Sequence, residues 1–160
     1  MSIENVREYF KQFGIENRIL EFDESSATVD LAAEAVGVEG ARIAKSLSFM
    51  AKNEPIVIVM AGDARLYNGA YKRYFGEKAK MLSYDEVSEL IGHDVGGVCP
   101  FAVPQNVKTY LDVSLKRFKT VFPAAGSGNS AIELTPDEFP KYCSNFVEWI
   151  DVCKDWKKEE

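Results

Sequence analysis

Arg42-Ile43-Ala44-Lys45-Ser46-Leu47-Ser48-Phe49-Met50 shifts the hydrophobic rhythm of the chain from helical spacing to a period of two. As a strand, it sets Ile43, Lys45, Leu47 and Phe49 on one face and Ala44, Ser46, Ser48 and Met50 on the other. Pro55-Ile56-Val57-Ile58-Val59-Met60 follows a short polar turn at 51–54 and is continuously apolar, the pattern of a strand buried on both faces. The two runs predict neighbouring strands joined across that turn.

Outward from this pair, residues 3–13 have helical spacing, with Ile3, Val6, Phe10 and Phe13 on one face and Gly14 as the C-terminal cap. Residues 18–22 read as a short strand. Thr28 caps a helix through Ala35 that turns Leu31, Ala32 and Ala35 inward and ends at Gly37. A short helix is expected over 68–75 and an edge strand over 80–82. Ser83 and Glu86 have capping-box spacing and open a helix that Gly92 stops. Further strands are expected at 108–111, 119–122 and 131–134. Thr135 and Glu138 form a second capping box, with Pro136 at the first helical position. Residues 146–152 alternate like a strand, with a helix as the alternative. Helices and strands mix without a strict βαβ rhythm. The fold class is therefore α/β of the α+β type, on a mixed or antiparallel sheet.

The 160 residues are 46% hydrophobic and 28% charged, ordinary globular values, and no linker or repeat divides them. One domain over 1–160 is expected, able to hide ~70% of its extended-chain surface. Nineteen basic against 25 acidic side chains leave a net charge of −6, which argues against wrapping DNA but permits contact with the tip of an RNA. Lys72, Arg73, Lys78 and Lys80 form the densest positive stretch, read either as such a contact or as a solvated face. The longest apolar run, Ile56 to Ala61, is too short to span a bilayer, and residues 1–4 do not begin a signal peptide. A cytoplasmic protein is expected. Cys99, Cys143 and Cys153 form no Cys-x-x-Cys pair and read as free thiols. With His93 as the sole histidine, neither a metal site nor a cofactor is expected.

Four features are candidates for chemistry. Lys45 shares its strand face with Ile43, Leu47 and Phe49, so its ammonium must either reach solvent along the core or form the floor of a cleft. Gly96 and Gly97, before Val98-Cys99-Pro100, allow close backbone approach and positive φ, so that N–H groups can converge on a developing negative charge. The same pair also suits a plain turn. Ala124-Ala125-Gly126-Ser127-Gly128-Asn129-Ser130 is a small-residue loop without the lysine of a phosphate-cradling loop, either a connector or a surface for a ligand. His93 and Cys99 raise a thiol–imidazole dyad, against which stands a buried, inert cysteine.

Three segments in order, TVDLAAEAVGVEGARIAKSL at 28–47, VGGVCPF at 95–101 and AAGSGNSAIEL at 124–134 followed by TPDE, resemble the YbaK/EbsC family of aminoacyl-tRNA editing domains. That family is related to the editing insertion of bacterial prolyl-tRNA synthetases. Each motif is weak singly and the ordered set is the specific signal; the similarity runs from about residue 3 to 142. The resemblance implies a mixed, partly closed sheet surrounded by helices. It also implies metal-free hydrolysis of the ester joining a wrong amino acid to its tRNA. Lys45 corresponds to the family's lysine, Gly96, Gly97 and Pro100 to its Gly-Gly-x-x-Pro loop, and Gly126, beside Ser127, to the glycine of its Gly-Ser loop. The implied partners are the acceptor end of an aminoacyl-tRNA, with a synthetase as a further one, on a monomer or weak homodimer. Members differ in the amino acid they remove, and alanine, cysteine or another small residue on tRNA-Pro are the choices left open. A non-catalytic tRNA-end or small-molecule binding module of the same fold is the alternative.

Overall fold

The computed structural model describes residues 2–156. Residues 1 and 157–160 lie outside the described residues. In chain order the elements are α1 (Ser2–Lys11), β1 (Ile19–Glu21), α2 (Val29–Val36), β2 (Ile43–Ala51), β3 (Glu54–Ala61), β4 (Arg65–Leu66) and α3 (Asn68–Phe75). They continue as α4 (Tyr84–Glu86), β5 (Lys108–Asp112), β6 (Phe122–Pro123), β7 (Ser130–Ile132), α5 (Phe139–Tyr142), β8 (Phe146–Ile150) and β9 (Cys153–Lys154).

A five-stranded sheet in the order β6-β2-β3-β5-β8 forms the centre. β2 and β3 are the expected antiparallel pair, Ala44 facing Ala61 and Ala51 facing Glu54. Lys52 and Asn53 close the hairpin with φ of 50° and 67°, the two positive angles of a type I′ turn. The remaining pairs, β2–β6, β3–β5 and β5–β8, are parallel, so the sheet is mixed. β3 is buried from Pro55 to Ala61, as its unbroken apolar run requires. β1–β7 and β4–β9 are small antiparallel ribbons beside the main sheet.

Aromatic side chains supply much of the packing. Phe49, Tyr71, Phe75 and Tyr110 join β2, α3 and β5, with centroid separations of 4.4–5.3 Å between successive rings. Phe10 of α1 meets Phe101 edge-on at 4.8 Å, and Phe101 stacks on Phe139 at 5.9 Å. Such pairs add ~0.5–1.5 kcal/mol each beyond the area they bury.

Several boundaries differ from the expectation. Leu31 is 41% exposed, and the inward face of α2 instead uses Val29, Ala32, Ala33 and Val36 against Ile43 and Phe122. The strands expected at 119–122 and 131–134 contract to β6 and β7, joined by isolated bridges Val121–Leu134 and Ala124–Ala131. The 80–82 segment makes a single bridge, Met81 to Phe49. Ser83 and Glu86 form a complete capping box, after which α4 widens into a π-turn over Val87–Ile91 before Gly92. At the second box Thr135 N–H donates to Glu138 Oε1 (2.9 Å) and Glu138 N–H to Thr135 Oγ1 (3.2 Å). These bonds close a lone turn, and α5 begins only at Phe139, with Pro140 rather than Pro136 in its first turn.

Candidate active site

A cavity of about 230 Å³ opens at the free edge of β2. β6 covers that edge at Ile43 and Ala44. The 80–82 segment covers it further on, where Met50 N–H donates to Lys80 O (2.9 Å) and Leu82 N–H to Ser48 O (3.1 Å). Between these covers, Lys45, Ser46 and Leu47 pair with β3 on one side and have no strand on the other among the described residues. Because alternate residues turn their N–H and C=O to the same side of a strand, Ser46 presents its backbone polar groups outward, as Ser48 and Met50 do. This gap is the back wall of the cavity. The other walls are the start of α2 with the preceding Ser26–Thr28, the loop at Val95, Gly96 and Val98, and Phe122, Ala124, Ser130 and Ala131.

Lys45 lines the cavity, half-buried, opposite Met60 in the β2–β3 register. Its Nζ donates to Gly62 O at 3.4 Å, and no carboxylate forms a salt bridge with it among the described residues. Burial pushes the ammonium pKa below its ordinary 10.5; Arg65 acts in the same direction, and Cys153 and Asp63 oppose it. A half-buried cation with one long hydrogen bond among the described residues retains donors for a ligand. Beside it, Ser46 Oγ is buried without a partner in the protein. Sequence reading missed Ser46, because neither alternation nor composition shows that this stretch of edge stays unpaired.

The glycine loop divides. Val95–Gly97 form a 3-10 turn, and neither Gly96 nor Gly97 uses positive φ. Gly96 lines the cavity. Gly97 does not, and its N–H already donates to Asp94 O at 2.8 Å. Glycine is required at 97 by close approach to the chain's own loop: a Cβ there would stand 2.5 Å from Ser127 N and 2.6 Å from Gly126 C. Gly126 is buried at φ 97°, and Ser127 Oγ hydrogen-bonds to Ser130 Oγ (2.7 Å) and Asn129 Oδ1 (2.9 Å). Pro100 is buried, its carbonyl accepting Ser144 N–H at 2.8 Å. Of the six residues singled out, Lys45 and Gly96 therefore meet in the cavity wall. Gly97, Pro100, Gly126 and Ser127 stand behind it and hold the loops that carry Gly96, Ala124 and Ser130.

His93 and Cys99 do touch, Sγ to Nε2 at 3.5 Å, but both are buried and neither lines the cavity. Nε2 is also 2.7 Å from Phe101 O, which makes it the protonated nitrogen. Burial pushes the Cys99 thiol up to about 12 and the His93 imidazole below 6.5. A neutral thiol beside a neutral ring is not a nucleophile. Among the described residues no three His, Cys, Asp or Glu side chains cluster as metal ligands would.

Residues 23–142 match the family described as the aminoacyl-tRNA editing domain. The chain belongs to that family. The uncharacterized protein YwhH of Bacillus subtilis (strain 168) is 55% identical over 98% of this chain and 100% of its own length. EbsC of Enterococcus faecalis, provisionally named a Cys-tRNA(Pro)/Cys-tRNA(Cys) deacylase, is 27% identical over 72% of each chain. A proline–tRNA ligase of Limosilactobacillus fermentum is 32% identical over 56% of this chain and 17% of its own length. A crystal structure provisionally described as a trans-editing enzyme for prolyl tRNA synthetase superposes with a TM-score of 0.85 at 28% identity, over 96% of this chain and 97% of that one. This editing domain thus has the YbaK/EbsC-type fold that its ordered motifs imply. No helix among the described residues is long and apolar enough to cross a membrane.

Proposed function

We propose that this editing domain, one unit over the described residues 2–156, hydrolyses the ester between a mischarged small amino acid and the 3′ end of its tRNA. It would act as a freestanding cytoplasmic deacylase. One observation carries the reading: the half-buried Lys45 ammonium and the unpaired edge at Ser46 share a cavity of about 230 Å³ with the backbone of Gly96. That volume lies below the ~300–1,000 Å³ typical of drug-sized ligand sites and suits an acyl group such as alanyl or cysteinyl.

Water adds to the acyl carbonyl, the terminal ribose oxygen leaves and takes up a proton, and the products are a free amino acid and uncharged tRNA. Backbone donors at Gly96 and Ser46 stabilise the tetrahedral oxyanion, each with a contribution of ~3 kcal/mol to the barrier. Lys45 orients the substrate through its terminal phosphate or acyl end. The ribose oxygen is a good leaving group, so no side-chain nucleophile is needed. Gly97, Pro100, Gly126 and Ser127 keep the two loops at the right separation.

Among the described residues the cavity wall contains no carboxylate, imidazole or thiol, and this favours the second reading, a module that binds a tRNA end without turnover. A deacylation assay over a panel of mischarged tRNAs separates the two. Accelerated release of amino acid from at least one small-residue substrate is expected. Binding without acceleration on every member replaces the hydrolase with the binding module.

A further inference from the structure

β4 follows β3 by three residues, and the first of these, Gly62, accepts a hydrogen bond from Lys45 Nζ at 3.4 Å, which brings the chain leading into Arg65 against that lysine. β9 pairs with β4 so that Arg65 faces Lys154, and Tyr67 N–H donates to Val152 O at 2.8 Å. Tyr67 is 43% exposed and has two cations over its ring, Arg73 Cζ at 5.7 Å and Lys154 Nζ at 5.6 Å from the centroid. The ring rests on Gly69, where a Cβ would come within 3.2–3.3 Å of Cζ, Cε1 and Oη. A cleft of about 360 Å³ adjoins it, lined by Asn68, Gly69, Lys72, Lys78 and Ala79. None of Arg65, Lys72, Arg73 and Lys78 forms a salt bridge among the described residues, while Asp63, just before β4, is engaged by Arg117 at 2.9 Å.

Unpaired cations around an exposed aromatic ring are what single-stranded nucleic acid recognition uses: phosphates meet the charges, and a base stacks on the ring. The geometry points to a docking surface for the single-stranded 3′ end of an RNA, running from the Lys72–Lys78 cleft across Tyr67 to Arg65 beside the cavity. Tyr67, in extended backbone just past β4, follows Arg65 by two positions, ~7 Å at ~3.3 Å per residue, so a few unpaired nucleotides bridge ring and cavity. The net charge of −6 weakens general attraction to RNA, so binding must rely on a local cluster of cations such as this one. This surface rests on the proposed editing reading for its choice of RNA, and it adds where the strand lies.

The test uses an uncharged, fluorescently labelled RNA hairpin with a short 3′ overhang, alongside its blunt counterpart, titrated by anisotropy at several salt concentrations. The wild-type chain should prefer the overhang. Tyr67→Ala should weaken overhang binding about tenfold and leave blunt binding unchanged, and Tyr67→Phe should stay within twofold of wild type. The Lys72→Gln/Lys78→Gln double variant should weaken both probes and flatten the dependence of log Kd on log salt by about one to two. Equal wild-type affinity for the two probes, or unaltered binding by both Tyr67→Ala and the lysine pair, overturns the surface. Loss in Tyr67→Phe equal to that in Tyr67→Ala overturns the stacking. Should Tyr67→Ala unfold by circular dichroism, the lysine pair decides alone. Because the probe carries no ester, a protein that releases no amino acid from any charged tRNA yet shows this pattern loses only the hydrolase reading. Intact deacylation with unaltered binding by the variants loses only this surface.

Discussion

Two places in this molecule bring reactive side chains together, and they differ in what surrounds them. At the β2 edge, Lys45 and Ser46 make few bonds and look into a cavity. Behind the glycine loop, Cys99 and His93 are 3.5 Å apart, closer to a familiar catalytic pairing, and are sealed from solvent. Contact distance alone would favour the second. Burial reverses that choice, because it holds both groups neutral and leaves no room for substrate. The lesson is that unsatisfied polar groups beside empty space mark a site better than satisfied ones packed into a core.

The sharpest way to break this contrast is Lys45→Ala, which should slow deacylation about 100-fold, the scale of one lost transition-state contact. Circular dichroism should show an unchanged fold. The pH profile gives a second handle. The folded Lys45 pKa lies below 10.5, so the charged form is lost, and enzyme-dependent deacylation with it, as pH rises through a value under that of a free lysine. By the same linkage, a charged Lys45 costs stability in full below its folded pKa, and that cost shrinks as pH rises from there and is gone only above the unfolded value of 10.5. Lys45→Met should therefore melt no lower than wild type at neutral pH. A rate that stays flat up to pH 10.5 would sink the role of the ammonium.

Gly97→Ala should come next, with about tenfold lower activity and a lower Tm. Its Cβ overlaps the backbone of Ser127 and Gly126, which cannot rotate aside, and strain of this kind costs ~1–3 kcal/mol. For a chain of this size that is a fall of several degrees in Tm. Lost activity with an unchanged melt would point instead to a direct catalytic part for Gly97. Ser46→Ala should cost about fivefold in activity and nothing in stability, since it deletes a hydroxyl with no partner in the protein. A destabilised Ser46→Ala would mean that the hydroxyl is bonded within the fold. Cys99→Ser should have the smallest effect, within twofold in rate on a matched tRNA substrate. A dead but folded Cys99→Ser protein would exchange the roles of the two regions.

Lys45 shows how far reading the chain could go. Period-two alternation placed it on an apolar strand face, and its register partner Met60 confirms that placement. Gly96 and Gly97 were legible as a pair but not as two different residues. Only the approach of the 126–128 loop turns one into cavity wall and the other into a spacer. Leu31 went astray for a related reason: several helical stripes of α2 are apolar, and the position of Phe122 chose among them.

What the sequence alone determined is local: the central hairpin, the caps at Thr28 and Ser83, the mixed rhythm and the ordered family motifs all follow from side-chain period and backbone preference. What only the tertiary structure decided is which edges and groups stay unsatisfied. β6 stops at Pro123, which carries no N–H, and pairing on that side resumes only at Ser48. The open stretch at Lys45–Leu47 is set by segments some 35 to 80 positions along the chain, near the 80–82 bridge and β6. No local pattern encodes an unmade hydrogen bond, because its absence depends on where distant strands end.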